Sequence, residues 1–371
     1  MAMSPPLTPA RASTPLPEPM RPRGRGAASN DAGRFERETR EPADDGWSGA
    51  ETDVKRLRTT LIKDNARTII TRNDSPDISF DRSVNPYRGC EHGCIYCFAR
   101  PSHAYWGYSA GIDFESRLFF KPGAADLLDA AFRKSGYQPE PILIGANTDA
   151  YQPVERQLRL TRRLLELCLE FRHPVSVITK SAGITRDLDL LGALAELGLA
   201  KAAISLTTLD RKLARAMEPR AATPRRRLDA IRALTGAGVP VTVMTAPIIP
   251  GLNDHEIEAL LEAAAGAGAR DAGYVLLRLP LEVRDLFKDW LAIHRPNAAA
   301  KIMSLIRQTR GGKDYDARWH VRGVGEGPVA ALIASRFRAA VRRYGLDGPR
   351  AKLRIDLFQR PLAENAQMSL F

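Results

Sequence analysis

The sequence predicts an α/β protein: an open, partial (β/α)6 barrel with a disordered N-terminal segment in front and a basic C-terminal extension behind. Three observations carry this expectation. Short apolar runs of strand length alternate with helix-length segments between residues 77 and 300, as in a parallel sheet covered by helices. About six such units can be counted, short of the eight of a closed barrel. Polar residues follow the apolar runs, at the strand ends where barrels of this kind carry their chemistry.

The 371 residues are 44% hydrophobic and 26% charged, values of a soluble globular chain. Residues 1–50 are rich in Pro, Ala, Ser and Arg without an apolar period, so disorder is expected there. Residues 51–76 form a flank in which Arg67–Thr71 could make a peripheral strand. Alternation over Asp77–Val84 marks the first barrel strand. Phe119–Gly123 opens a helix over Ala124–Lys134. The following strands are Pro141–Gly145, Val175–Lys180, Lys201–Thr207, Val241–Ile248 and Gly273–Leu279. Helices are expected over Glu155–Phe171, Asp187–Glu196 and Arg225–Thr235, and one starts at the cap Asn253. No apolar stretch reads as a membrane span, since Leu234–Leu252 contains three prolines. No apolar signal core stands at the N-terminus, and the cytoplasm is the expected compartment.

Between the first strand and the first helix, Cys90, Cys94 and Cys97 share one loop, in the run Cys90-Glu-His-Gly-Cys94-Ile-Tyr96-Cys97. The chain has one further cysteine, Cys168, flanked by Leu167 and Leu169 and read as an inert core thiol. Thiolates are soft ligands suited to zinc, Cu(I) or iron–sulfur clusters. Three cysteines on a [4Fe–4S] cube leave one iron open. A zinc site with His92 or His103 as fourth ligand is the alternative, although structural zinc usually draws on two separated pairs. An aromatic group, His103, Tyr105, Trp106 and Tyr108, follows the loop and is read as packing near its mouth, with a wall that stacks a bound ligand as the alternative.

The spacing C-x3-C-x-aromatic-C resembles the signature of the radical S-adenosylmethionine (SAM) superfamily. That resemblance implies a TIM-like partial barrel of the radical SAM type, a [4Fe–4S] cluster on Cys90, Cys94 and Cys97, and SAM on the fourth iron. It also implies reductive cleavage of SAM to a 5′-deoxyadenosyl radical, with a reductant protein such as flavodoxin or ferredoxin. Within the superfamily, Asp77–Leu279 is similar to the spore photoproduct lyase family of DNA-repair enzymes. The similarity shows in Thr148-Asp149, Lys180, Ser205, Glu218-Pro219-Arg220 with Arg227, and Ala246-Pro247-Ile248. By this resemblance Thr148, Lys180, Ser205, Tyr96 and Arg220 are the cofactor-binding candidates. The chain departs from that family at Ala146, where the lyase has a hydrogen-donating cysteine, and at Phe98, which lacks a hydroxyl. Thymine-dimer repair is therefore not assigned.

The formal net charge is +12, and residues 301–371 hold fourteen basic against six acidic side chains. This local excess suggests DNA or another polyanion as partner, with a solvated basic surface as the alternative. A helix over Pro328–Tyr344 carries Arg336, Arg338, Arg342 and Arg343. The terminal Gln367-Met-Ser-Leu-Phe371 resembles the pentapeptide that docks bacterial repair proteins on the DNA sliding clamp. Other substrates, protein or small molecule, and a non-catalytic zinc-dependent nucleic-acid-binding protein remain the competing functions.

Overall fold

The computed structural model describes residues 23–36 and 57–361. The terminal Gln367–Phe371 motif lies outside them. Ten strands are present among the described residues: β1 (Thr60–Lys63), β2 (Ile70–Arg72), β3 (Arg82–Val84), β4 (Tyr87–Arg88), β5 (Arg117–Phe120), β6 (Ile142–Ile144), β7 (Val175–Thr179), β8 (Ala200–Ser205), β9 (Val241–Ile248) and β10 (Asp271–Leu276). Seven form one sheet in the order β10-β9-β8-β7-β6-β3-β2. All its neighbours are parallel except β2 and β3. The six parallel strands are the expected (β/α)6 set. The barrel stays open because β10 and the β2–β3 hairpin are opposite edges.

Strand length follows sequence. In β7, Val175, Val177 and Thr179 are buried while Ser176 and Ile178 are half-buried, the period of a strand packed unequally on two faces. Leu190, Leu191 and Leu194 of the helix Leu188–Glu196, and Ala230, Ile231 and Leu234 of Pro224–Gly236, bury their apolar stripes against this sheet in one core.

Several expected boundaries are corrected. The first barrel strand is Arg82–Val84 alone, because Asp77 turns aside to bind the His320 N–H at 2.6 Å and the Arg322 guanidinium. The peripheral strand is Ile70–Arg72, and the last strand ends at Leu276 instead of Leu279. The helix expected over Glu155–Phe171 is two, Glu155–Leu158 and Leu160–Glu170, joined at Arg159 in the left-handed region (φ 51°). The break has a local cause: the buried Glu155 carboxylate accepts the Leu160 and Thr161 N–H groups at 3.0 and 3.1 Å, capping a new helix. Asn253 stands at the N-cap position of the 3-10 turn Asp254–Glu256 that leads into the helix Ile257–Gly266, as expected, but its side chain gives no cap: its amide accepts Ile249 N–H at 2.6 Å and donates to Thr207 and Pro247 carbonyls.

Both flanks differ from expectation more deeply. Within the segment expected to be disordered, residues 23–36 lie against the cysteine loop. Gly26 and Ala27 N–H groups donate to the Glu115 carboxylate at 2.8 and 2.9 Å. A Cβ on Gly26 would sit 1.8 Å from the Gly93 carbonyl oxygen, so only glycine fits. A three-stranded sheet, β1-β5-β4, adjoins the loop. The helix Gly327–Arg343 buries Ala330, Ile333, Phe337 and Ala340, and Arg336 pairs with Glu258. Residues 351–361 run over the N-terminal ends of the barrel strands. There Arg354 N–H meets Gly198 O and Gln359 N–H meets Phe171 O, each at 3.0 Å. The most C-terminal basic residues described therefore lie opposite the cysteine loop, and polyanion binding there would be remote from it. Among the described residues no helix is long and apolar enough to cross a membrane.

Candidate active site

The cysteine loop leaves β4 at the C-terminal end of the barrel and is shaped by two glycines. Gly89 (φ 76°) and Gly93 (φ 67°) occupy the left-handed region, and a Cβ on Gly93 would meet the Glu115 carboxylate at 2.7 Å. Arg100, wholly buried, holds the loop from beneath: its Nε donates to Cys94 O at 2.9 Å and its Nη1 to Ala110 O and Gly111 O at 3.0 Å. Its remaining charge is met by the buried Glu115. Burying both ions is tolerable because each is paired and fully hydrogen-bonded.

Cys90 and Cys94 are buried, Cys97 is half-buried, and all three are free thiols. Cys97 packs against both the apolar group around Cys90 and that around Cys94. Burial pushes the Cys90 thiol up, and Asp149 and the other two cysteines add to this. Burial likewise pushes Cys94 up, against the opposing pull of Lys180. Buried thiols that resist ionising alone are suited to ligation, in which the metal displaces the proton. Among the described residues no three His, Cys, Asp or Glu groups could hold a single metal ion. A cube meets each thiolate at its own corner, so its ligands need not converge on one point, and the three thiols fit such a group. Cys168 lies in the hydrophobic core, its thiol pushed up to about 12 by burial.

The five cofactor-binding candidates surround this loop but are not equivalent. Lys180 follows β7, with its ammonium 5.7 Å from the Tyr96 ring centre and no carboxylate partner among the described residues. Ser205 ends β8 and is buried; its carbonyl accepts Arg227 Nη1 at 3.0 Å. The Thr148 hydroxyl donates to Tyr87 O at 2.8 Å. The Tyr96 hydroxyl donates to Glu218, which also binds Thr207 Oγ1 at 2.7 Å and the Arg227 guanidinium. Arg220 donates its N–H to His92 O at 3.3 Å and pairs through Nη2 with Glu91 at 3.1 Å. The hydroxyls of Thr148 and Tyr96 and the Arg220 guanidinium are thus engaged in holding the loop.

Two carboxylates that the family resemblance included, but to which sequence reading gave no role, organise the rest. Asp149 accepts Thr179 Oγ1 at 2.6 Å, Lys180 N–H at 2.7 Å and Tyr151 N–H at 2.9 Å. Its carboxylate also lies 3.3 Å from His92 Nδ1, close but without hydrogen-bond geometry. Burial alone would raise Asp149; His92 and the donated hydrogen bonds win and hold it well below the usual carboxylate range. Asp149 so ties the cysteine loop to the ends of β6 and β7, and Glu218 ties it to the end of β8. The signal for Asp149 was a carboxylate inside a polar strand end; for Glu218 it was the motif resemblance alone. Of the aromatic group, His103 is packed edge-on to Phe114 and Phe119 at 5.6 and 5.9 Å, whereas Tyr105 and Trp106 are exposed.

A family model described as the Radical SAM superfamily matches residues 84–264. Rv2578c, an uncharacterized protein of Mycobacterium tuberculosis, is 34% identical over 233 residues, covering 62% of this chain and 68% of that one. MJ0683 of Methanocaldococcus jannaschii, also uncharacterized, is 28% identical over 196 residues, covering 53% and 70%. Among solved structures, spore photoproduct lyase complexed with dinucleoside spore photoproduct superposes with a TM-score of 0.56 at 16% identity, covering 80% of this chain and 84% of that one. At that identity the likeness is one of fold.

Proposed function

The chain belongs to the radical SAM superfamily, and from that premise we propose that it abstracts a hydrogen atom from a nucleic-acid substrate, with Cys90, Cys94 and Cys97 as the cluster ligands. Membership makes it an enzyme working with a [4Fe–4S] cluster and SAM. When bound, these supply a 5′-deoxyadenosyl radical on receipt of one electron from a reductant protein such as flavodoxin or ferredoxin. An oxygen-sensitive cluster and such a donor suit the cytoplasm.

The observation carrying the proposal is a three-thiol loop, with Cys90 and Cys94 buried, at the C-terminal mouth of the barrel, and beside it Lys180, which has no carboxylate partner among the described residues. In this reading Lys180 takes the carboxylate of SAM, and the Ser205 hydroxyl hydrogen-bonds its polar groups. Tyr96, Thr148 and Arg220 act as positioning residues: each spends its polar group on the loop or on a strand end. The apolar packing of Cys90 and Cys94 excludes water from their side of the site.

A nucleic-acid substrate is favoured by cations at the mouth, Lys180 and Arg220. Dimer repair by a thiol relay is not proposed. Ala146 and Phe98 offer no hydrogen, and Cys168 is sealed in the core. The test is reductant-dependent 5′-deoxyadenosine release by the anaerobically reconstituted protein. DNA or RNA should raise it several-fold over metabolite and peptide pools; stimulation by peptides or metabolites alone would overturn the substrate class.

A further inference from the structure

Beyond the cofactor residues, the mouth carries a guanidinium with unused donors. Arg278 stands two residues past β10 and is half-buried; its Nε–H is wholly buried without a hydrogen-bond partner. No ion pair among the described residues involves it. Its guanidinium carbon lies 5.2 Å from the centre of the Phe98 ring. Phe98 directly follows Cys97, and its side of the loop is open, leaving the residue 46% exposed.

A second observation points to the same place. Arg310 is fully buried, with Nη2 donating to Leu277 O at 2.8 Å and Nη1 to Val321 O at 2.6 Å, yet its Nε–H is also buried and unpartnered. The Leu277 carbonyl that Arg310 binds belongs to the residue before Arg278, so Arg310 lies against the backbone that carries Arg278. The half-buried Arg278 has no acceptor for its terminal N–H groups among the described residues, and an oxyanion at the mouth supplies one. A guanidinium laid on an aromatic face has its plane fixed and keeps its in-plane N–H groups for bidentate contact. The half-exposed Phe98 ring suits base stacking, which favours a phosphodiester over an isolated carboxylate.

We propose that Arg278, carried on the Phe98 ring beside Arg310, binds a phosphodiester oxygen of a nucleic-acid strand and so sets the neighbouring nucleotide over the cysteine loop. The assignment rests on the nucleic-acid reading of the site. A base reached in this way must stand outside a duplex, so single strands are the probe.

The test is anisotropy of the anaerobic holoenzyme with labelled single-stranded DNA and RNA nonamers, in which one neutral methylphosphonate linkage is moved along the strand. In the wild-type protein one linkage should cost about tenfold in affinity when neutralised. Arg278→Gln should bind the unmodified nonamer about tenfold more weakly, with a salt slope lower by about one, and should no longer sense that linkage. Iron content and thermal unfolding report whether the variant is intact. Should Arg278→Gln not fold, Arg278→Lys keeps the charge without the fork, and the penalty at that linkage should shrink. A flat scan, or a penalty that persists in the variants, overturns the role of Arg278 while leaving a nucleic-acid substrate in place. Failure of the wild-type protein to bind any nonamer overturns both. The DNA and RNA series separate the two kinds of strand.

Discussion

Lys180 is the residue on which cofactor affinity should turn, because it is a cation at the mouth with no carboxylate partner among the described residues. Lys180→Ala should weaken SAM binding about tenfold, the worth of one charge-assisted hydrogen bond, while iron content stays at the wild-type level. Equilibrium dialysis with labelled SAM and iron analysis measure the two quantities separately. Cys94→Ala should lose the iron instead. Glu218 has a different duty, since it holds the Tyr96 hydroxyl, Thr207 and the Arg227 guanidinium in a buried cluster. Glu218→Ala leaves Arg227 buried without its counter-ion, and denaturant unfolding should show a loss of about 3–5 kcal/mol. The cysteine spacing was legible in sequence because all three ligands share one short loop. The roles of Asp149 and Glu218, present in the resemblance without a function, and of Arg278, not named at all, were not legible, because they come from contacts with residues distant in the chain.

Among elements, the segment 23–36 has the least sequence signal and a large structural consequence. It contributes backbone N–H groups, which any sequence possesses, and its acceptor, Glu115, lies about ninety residues away in the chain. Gly26→Val should lift this segment from Gly93, where a Cβ has no room, and the reconstituted cluster should bleach faster in air. An unchanged bleaching rate would deny the segment any protective part. The barrel strands were legible because short apolar runs between turn signals leave few alternatives. The break at Arg159 was not, since it depends on Glu155 acting as an interior cap. His173, just before β7, stacks on Phe132 at 4.2 Å and is held by burial down to about 3. The folded protein thus binds fewer protons there than the unfolded chain. The stability His173 contributes is full above its ordinary value of 6.5 and drains as pH falls towards 3. Urea unfolding of His173→Gln should show a shallower loss over that range than the wild-type protein.

Across the whole molecule, the open barrel divides its surroundings into two ends with different work. Its two sheet edges are joined from outside. Asp77, in the hairpin between β2 and β3, is tied to His320 and Arg322, and Gly323 next to them accepts the Leu276 N–H of β10 at 2.8 Å. The charge excess in the sequence does not reveal this division, because composition carries no direction. Arg354 and Arg360 lie at the end away from the cysteine loop, so replacing both with Gln should leave nucleic-acid affinity within about twofold. A larger loss would move the strand to that end. The central claim, three thiolates leaving one iron for SAM at the mouth of the barrel, is tested most directly by electron paramagnetic resonance of the reduced, anaerobically reconstituted protein with and without SAM. The account predicts a cluster of about four irons whose signal changes when SAM is added. A protein that holds no cluster, or whose cluster signal is indifferent to SAM, would contradict it.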